Sequence, residues 1–286
     1  MDSAGTEDAD RDAEIALVAR AVAGEQAALA QVVRGLQDPL YRLALRMTGR
    51  PADAEDATQE ILLRVLGRLG SWRAEAKLLT WAYRVGVNYL INLRRRSPQE
   101  RIDLDLDQFA AGLSDGLADE DYRGPDAALL SGEVRLGCSQ AMLQCLARDE
   151  RVAFVLGEVF ELSSADAAYI LGIGPAAYRK RLERAKKRIG TFLTATCGVV
   201  SEQARCRCSR RIDQALRSGR IDRDNPVYAA HRIGVGGRTV VDAEAQMIRL
   251  HDAAAVLRVH PDYAAPQTKL RAITGMLESG RFPLLD

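Results

Sequence analysis

A dense group of cationic side chains between residues 175 and 188 has the chemistry of a nucleic-acid contact. This stretch contains seven Lys and Arg residues against one Glu, so its net charge is +6. Guanidinium and ammonium groups bind phosphate oxygens, which gives affinity, and they donate hydrogen bonds to guanine edges, which gives sequence selectivity. Arg is frequent throughout the 286-residue chain, so the position of these cations is more informative than their number.

The residues around this group predict a helix-turn-helix. Ser163 is a favourable N-cap for a short apolar helix, and Gly172 is placed to end that helix. Pro175 suits the first position of a second helix, which enters the major groove in this motif. An ordinary helical hairpin with a solvated basic face is the alternative. The one-sided charge and the small residues Ala176 and Ala177 at the docking end favour DNA binding.

Two earlier helices carry polar faces of another kind. The first begins near residue 53 with acidic side chains, which stabilisation of the helix dipole alone would explain. The second is predicted from about residue 78 to residue 96, and its outer face combines one Trp with Arg and Asn side chains: Trp81, Arg84, Asn88, Asn92 and Arg95. Such a face can stack on single-stranded bases and bind phosphates. A solvated helix face explains the same spacing equally well.

The cysteines suggest a second kind of chemistry. Three of them lie in a polar, Arg-rich stretch where thiolates could bind zinc, with His231 as a candidate fourth ligand: Cys197, Cys206 and Cys208. The spacing is not that of a standard zinc finger, so free or redox-sensing thiols and inert structure stay open. Cys138 and Cys145 share an apolar helical stripe, which predicts core packing for both.

The elements that position these groups are predicted to be helices throughout. Apolar residues make up 47% of the chain and charged residues 28%, and no apolar run reaches the length of a membrane helix. The acidic N-terminus does not resemble a secretory signal, which favours the cytoplasm. Composition divides the chain into an acidic tail, a helical domain, a linker of net charge −8, a second helical domain and an extension: 1–24, 25–96, 97–133, 134–190 and 191–286.

Together these patterns resemble the bacterial sigma-70 family of RNA polymerase sigma factors. Residues 53–60, 71–73 and 80–88 are similar to sigma region 2, and residues 165–189 are similar to region 4. The absence of an intervening region 3 domain resembles the extracytoplasmic-function branch. The resemblance implies two helical domains joined by the acidic linker, while the 96 residues from 191 to 286 form an additional, mostly helical extension.

The resemblance also implies roles for individual residues. Polymerase binding through the β′ clamp would fall to an acidic face on the first of the two helices: Asp53, Asp56, Gln59 and Glu60. Contact with the −10 promoter element would fall to a loop and the helix after it: Trp72, Arg73, Lys77, Trp81, Arg84, Asn88, Asn92 and Arg95. Recognition of the −35 element would fall to the basic helix: Ala177, Arg179, Lys180, Arg181, Arg184 and Lys187.

The implied function is that of a promoter-specificity subunit and not an enzyme. Its partners would be core RNA polymerase, through the β′ clamp and the β subunit, and promoter DNA, with an anti-sigma factor as a further candidate and no membrane. The acidic linker would thread through the polymerase cleft. No cofactor is required for this role, and zinc is a candidate only in the extension. Two alternatives are a polymerase-independent helix-turn-helix regulator and a metal- or thiol-responsive DNA-binding sensor.

Overall fold

The computed structural model describes residues 3–93, 105–228, 262–267 and 275. Within these residues the chain forms α-helices and no β-strand, which confirms the all-α prediction. None of the described helices is both long enough and apolar enough to cross a bilayer. The helices are α1 (Ser3–Val22), α2 (Gln26–Thr48), α3 (Pro51–Leu66), α4 (Leu78–Asn92), α5 (Leu106–Ser114), α6 (Ala127–Gln144), α7 (Arg148–Phe154), α8 (Ser164–Leu171), α9 (Pro175–Thr196) and α10 (Cys208–Arg217).

The first domain is a bundle in which α2, α3 and α4 pack against one another. Gly86 allows the closest approach, because a Cβ at this position would lie 3.3 Å from a methyl group of Ile61 and 3.5 Å from Leu40. The apolar residues that face this contact are buried, among them Val65 and Ala82. Helix α4 ends at Asn92, before the predicted end at residue 96, and residues 94–104 lie outside the described part of the chain.

The N-terminal segment is helical from Ser3, whereas the sequence predicted that half of residues 1–24 would be a tail. Val18 and Ala21 are buried, and they join α1 to the core of the first domain. Further along α1, the Glu14 carboxylate accepts a hydrogen bond from the backbone N–H of Leu78, at 2.9 Å. That carboxylate therefore satisfies one of the unpaired N–H groups at the start of α4.

The second domain contains the predicted helix-turn-helix, formed by α8 and α9. The Ser163 hydroxyl accepts a hydrogen bond from the backbone N–H of Asp166 at 3.0 Å, so it caps α8. Gly172 ends α8 with φ +65°, a left-handed conformation that side chains with a Cβ rarely adopt. Pro175 is the first residue of α9, whose buried side includes Tyr178 and Ala185.

The predicted acidic linker contains structure of its own. Helix α5 lies within it, and the Phe109 ring stacks on Phe192 of α9 with ring centroids 5.7 Å apart. Helix α6 begins at Ala127, also within the range assigned to the linker. An apolar face hidden among the acidic residues explains why this part packs: Leu106, Phe109 and Leu113.

Side chains of the second domain cap two helices of the first. The Gln140 amide donates hydrogen bonds to the carbonyls of Leu45 and Arg46 at the end of α2, at 2.6 and 3.2 Å. Arg151, which is buried, donates to the Met47 carbonyl at 2.6 Å. At the end of α4, Arg148 donates in the same way to the carbonyls of residues 90, 91 and 93. The domains are therefore joined through carbonyls at helix ends, of which the Leu45 carbonyl also accepts from the Gly49 N–H at 2.9 Å.

The extension contacts both domains. Its Tyr228 hydroxyl donates to the Gly49 carbonyl in the first domain at 2.9 Å, while the Tyr228 N–H donates to Glu133 of α6 at 3.0 Å. A later segment of the extension pairs Asp262 with Arg42 of α2 at 3.5 Å. Tyr228 therefore bridges the two domains, and Asp262 contacts the first.

We expect Ser163→Ala to lower the free energy of unfolding by about 1 kcal/mol, because the change removes the N-cap of α8. Chemical denaturation of the purified chain measures this difference. Ser164→Ala is the matched control, since Ser164 lies inside the helix and provides no cap. Equal destabilisation by the two substitutions would contradict the capping role.

Candidate nucleic-acid interface

An acidic face runs along α3. Asp56 lies three positions after Asp53, and Gln59 and Glu60 lie three and four positions after Asp56, so the four share one side of the helix, away from buried Ile61. Asp56 is exposed and the other three are partly exposed. The face is thus available to a partner that carries positive charge.

Two of these acids already have cationic neighbours on the same surface. Asp53 lies 3.8 Å from Arg50, and Glu60 lies 2.7 Å from Arg64, whose guanidinium also sits over the ring of Tyr89. Exposed ion pairs of this kind contribute about 0–1 kcal/mol. Breaking these ion pairs to form contacts with a partner therefore costs little free energy.

The loop between α3 and α4 borders an open cavity of about 520 Å³ that it shares with α1 and with Asp166 of α8. The Trp72 ring is buried, and its Nε1 donates to the Ala76 carbonyl at 3.1 Å, so this side chain shapes the loop from within. Arg73 and Lys77 are exposed. Ala74 has φ +54°, a conformation that costs energy for a residue with a Cβ and that this loop imposes.

The outer face of α4 is divided by its contact with the second domain. Asn88 and Asn92 are exposed, whereas Trp81 and Arg84 are partly buried. The Arg84 guanidinium lies over the ring of Tyr169 in α8, 4.8 Å from its centroid. Arg95, predicted for the same face, lies outside the described residues.

The cations of α9 form two groups. Arg179, Lys180 and Lys187 are exposed, as is the small residue Ala177 near the start of the helix. The other group is paired with carboxylates of α7 or of the segment after it: Arg181 lies 3.4 Å from Asp149, Arg184 lies 3.7 Å from Glu150, Arg188 lies 2.6 Å from Glu150 and Lys186 lies 2.8 Å from Glu158. The exposed group can approach a DNA groove directly, and the paired group must first exchange an ion pair.

The three cysteines predicted as metal ligands lie around one small cavity, together with a residue assigned to core packing: Cys197, Cys206, Cys208 and Cys138. Burial raises the pKa of the Cys206 thiol to about 11 and raises that of Cys138 well above its ordinary value. High pKa values disfavour the reactive thiolate, which argues against rapid redox sensing. His231 lies outside the described residues.

Sequence patterns did not indicate the residues that hold the outer face of α4 beside the helix-turn-helix. Gln140, Arg148 and Arg151 bond to backbone carbonyls 55 to 104 residues away, and no spacing rule links such partners. Tyr169, which covers Arg84, is one aromatic residue within a short apolar helix. Its half-exposed position is visible only in the structure, so no sequence signal pointed to the contact with Arg84.

Comparison with known families matches both domains. The family described as Sigma-70 region 2 matches residues 32–99, and the family described as Sigma-70, region 4 matches residues 136–189. The ECF RNA polymerase sigma factor SigW of Bacillus subtilis is 29% identical over 173 residues, which cover 58% of this chain and 89% of SigW. The ECF RNA polymerase sigma-E factor of Escherichia coli K12 is 29% identical over 178 residues, which cover 60% of this chain and 90% of that factor.

Among solved structures, the chain is similar to CnrH in complex with the cytosolic domain of CnrY. The TM-score is 0.41 and the identity 22%, over 63% of this chain and 97% of the CnrH chain. The region 4 match ends at residue 189, before the extension.

Proposed function

This chain belongs to the sigma-70 family of RNA polymerase sigma factors, in its extracytoplasmic-function branch, and we propose how its surfaces carry out that function. It binds core RNA polymerase, recognises the −35 and −10 promoter elements and promotes promoter melting. The observation that supports this most is an acidic face on α3 and a basic face on α9, in the parts of the chain that match sigma region 2 and region 4. The chain acts as an initiation factor, and the polymerase catalyses RNA synthesis. It works in the cytoplasm, where the chromosome lies.

Polymerase binding is assigned to the acidic face of α3, against the β′ clamp. Asp56 lies near the middle of this face and is exposed. Charge complementarity across such a surface accelerates encounter and fixes orientation more than it raises total affinity.

Recognition of the −35 element is assigned to α9, placed in the major groove. Arg179, Lys180 and Arg184 are proposed to reach base edges, where Arg and Lys hydrogen-bond to guanine. Arg181 and Lys187 are proposed to bind the phosphates on either side. Arg184 leaves its ion pair with the largely buried Glu150 for the DNA contact, and Glu150 keeps its pair with Arg188.

Opening of the −10 element is assigned to the cavity beside Trp72 and to the exposed amides of Asn88 and Asn92. Extruding a base costs a few kcal/mol of stacking and pairing, which a receiving pocket must offset. The cavity has room for a base, and buried Trp72 keeps the loop in shape. Arg84 must leave the Tyr169 ring before it can bind the displaced strand.

The two assignments require the domains to separate. The −35 and −10 elements are about 25 base pairs apart, or roughly 85 Å of B-form DNA at the usual helical rise. In this structure α4 and α8 pack directly against each other. Binding of both elements at once therefore needs a more open arrangement, which the polymerase surface must stabilise.

Charge reversal by Asp56→Arg tests the polymerase assignment. We expect weaker binding to core polymerase and fewer promoter-dependent transcripts, because a positive charge replaces the centre of the acidic face. Affinity for duplex DNA without polymerase should stay nearly unchanged. Binding assays with the purified chain measure its affinities for polymerase and for DNA, and in vitro transcription measures the transcripts.

Asp213→Arg is the matched control, because Asp213 is an exposed acid on α10, outside the acidic face. It should leave polymerase binding intact. Equal losses from the two reversals, or equal loss of DNA binding from Asp56→Arg, would overturn the assignment of this face and favour a regulator that works without polymerase.

Arg184→Ala tests the −35 assignment. The substitution should cost about 1–3 kcal/mol at the preferred sequence and relax the preference at one base position. Lys187→Ala should instead weaken binding to all sequences alike and reduce its salt dependence. The measurement is a comparison of DNA affinities over a set of single-base variants of the element. Uniform loss in Arg184→Ala would move Arg184 to the phosphate-binding group.

A further inference from the structure

Four cysteine side chains line one small cavity where the extension meets the second domain. The cavity has a volume of about 40 Å³, and Cys138, Cys197, Cys206 and Cys208 contribute to its wall. We call it the thiol cavity. The fifth cysteine, Cys145, does not line it and instead donates a hydrogen bond to the Ala141 carbonyl within α6.

Backbone structure brings these distant cysteines together. Cys197 follows the last residue of α9 and pairs with Cys206, where the Gly198 N–H donates to the Cys206 carbonyl at 2.9 Å. Cys208 begins α10, which packs against α6, and α6 carries Cys138. The positions of the four thiols are therefore set by the fold of the chain and not by chance surface contact.

The charges around the thiol cavity suit an anionic centre. Arg135 and Arg211 also line the cavity, and its remaining wall is predominantly apolar, without a carboxylate. Arg211 is buried and donates to the carbonyls of Leu113 and Asp115, at 3.0 and 2.6 Å. Four thiolates around one divalent ion carry a net charge of −2, which two guanidinium groups would balance.

We propose that the thiol cavity is a binding site for a thiophilic divalent metal ion, with Zn²⁺ as the reference ligand and Cys138 in place of His231 as the fourth ligand. Four-thiolate sites are the usual closed, structural form of zinc binding. Each thiol releases its proton to solvent as its sulfur binds the ion, so no oxidant or reductant takes part.

Binding requires the thiols to turn inward. Among the residues that the structure describes, no three Cys, His, Asp or Glu side chains stand close enough together to hold an ion as they are. Zinc–sulfur bonds are about 2.3 Å long, so the four sulfurs must approach one another to about 3.8 Å. The cavity between them provides the space for this movement, because it exceeds the roughly 10–15 Å³ that a water molecule needs.

The ion would fix the extension to the second domain. Cys206 and Cys208 belong to the extension, Cys138 belongs to α6, and Arg211 ties the same region to the end of α5. Metal loading would thus stabilise the contact between α10, α6 and the acidic linker. This proposal is independent of the polymerase and DNA assignments, and its test uses neither.

The test is titration of the full chain, freed of metal by a chelator under reducing conditions, with Co²⁺ and then Zn²⁺. We expect one equivalent of Co²⁺ to bind with the intense sulfur-to-metal absorption of thiolate ligands, and Zn²⁺ to displace it. Cys138→Ser and Cys206→Ser should each reduce the absorption and lower the affinity at least tenfold. Cys145→Ser, the matched control, should leave the absorption and the affinity unchanged.

A second measurement on the wild-type chain does not depend on the folding of variants. Mass spectrometry of alkylated peptides should show that Zn²⁺ slows the alkylation of the four cavity cysteines while leaving Cys145 unchanged. Unaltered Co²⁺ absorption in Cys138→Ser would remove Cys138 from the site. Absence of stoichiometric metal binding, including the case in which peroxide instead produces a Cys197–Cys206 disulfide, would overturn the metal site.

Discussion

The capping of helix ends across the domain boundary is the interaction on which the rest of this structure depends. Amide and guanidinium groups from α6 and α7 donate hydrogen bonds to carbonyl groups at the ends of α2 and α4, where a helix runs out of N–H partners of its own. Positive charge at a helix C-terminus is also favourable to the helix dipole. Arg151 is buried in this position, so loss of its partners would leave a costly unpaired charge.

This arrangement places the two nucleic-acid faces side by side and covers part of one of them. Arg84 rests on Tyr169, and Tyr228 of the extension adds a bridge between Gly49 and Glu133. A promoter presents its two elements much farther apart, so the closed form cannot be the one that initiates transcription. The hydrogen bonds that hold the domains together therefore oppose promoter recognition, and polymerase binding must offset their loss.

Local features of the fold could be predicted from the sequence, and contacts between distant parts could not. Ser163, Gly172 and Pro175 mark the helix-turn-helix because capping and turn preferences act over a few residues. The caps supplied by Gln140 and Arg148 join backbone groups far along the chain, where spacing carries no information. Cys138 shows the same limit: its helical stripe correctly indicates packing against the core, where it is partly buried, but only the packing of α10 on α6 brings it to the other cysteines.

The opening of the domains is tested most directly by a distance measured between them. Energy transfer between fluorophores at Arg34 of α2 and Thr194 of α9, both exposed and outside the proposed surfaces, reports this distance without using the native cysteines. Transfer should be efficient in the free chain and should fall sharply when core polymerase and promoter DNA are added. Unchanged transfer in a complex that initiates transcription would contradict the requirement for opening.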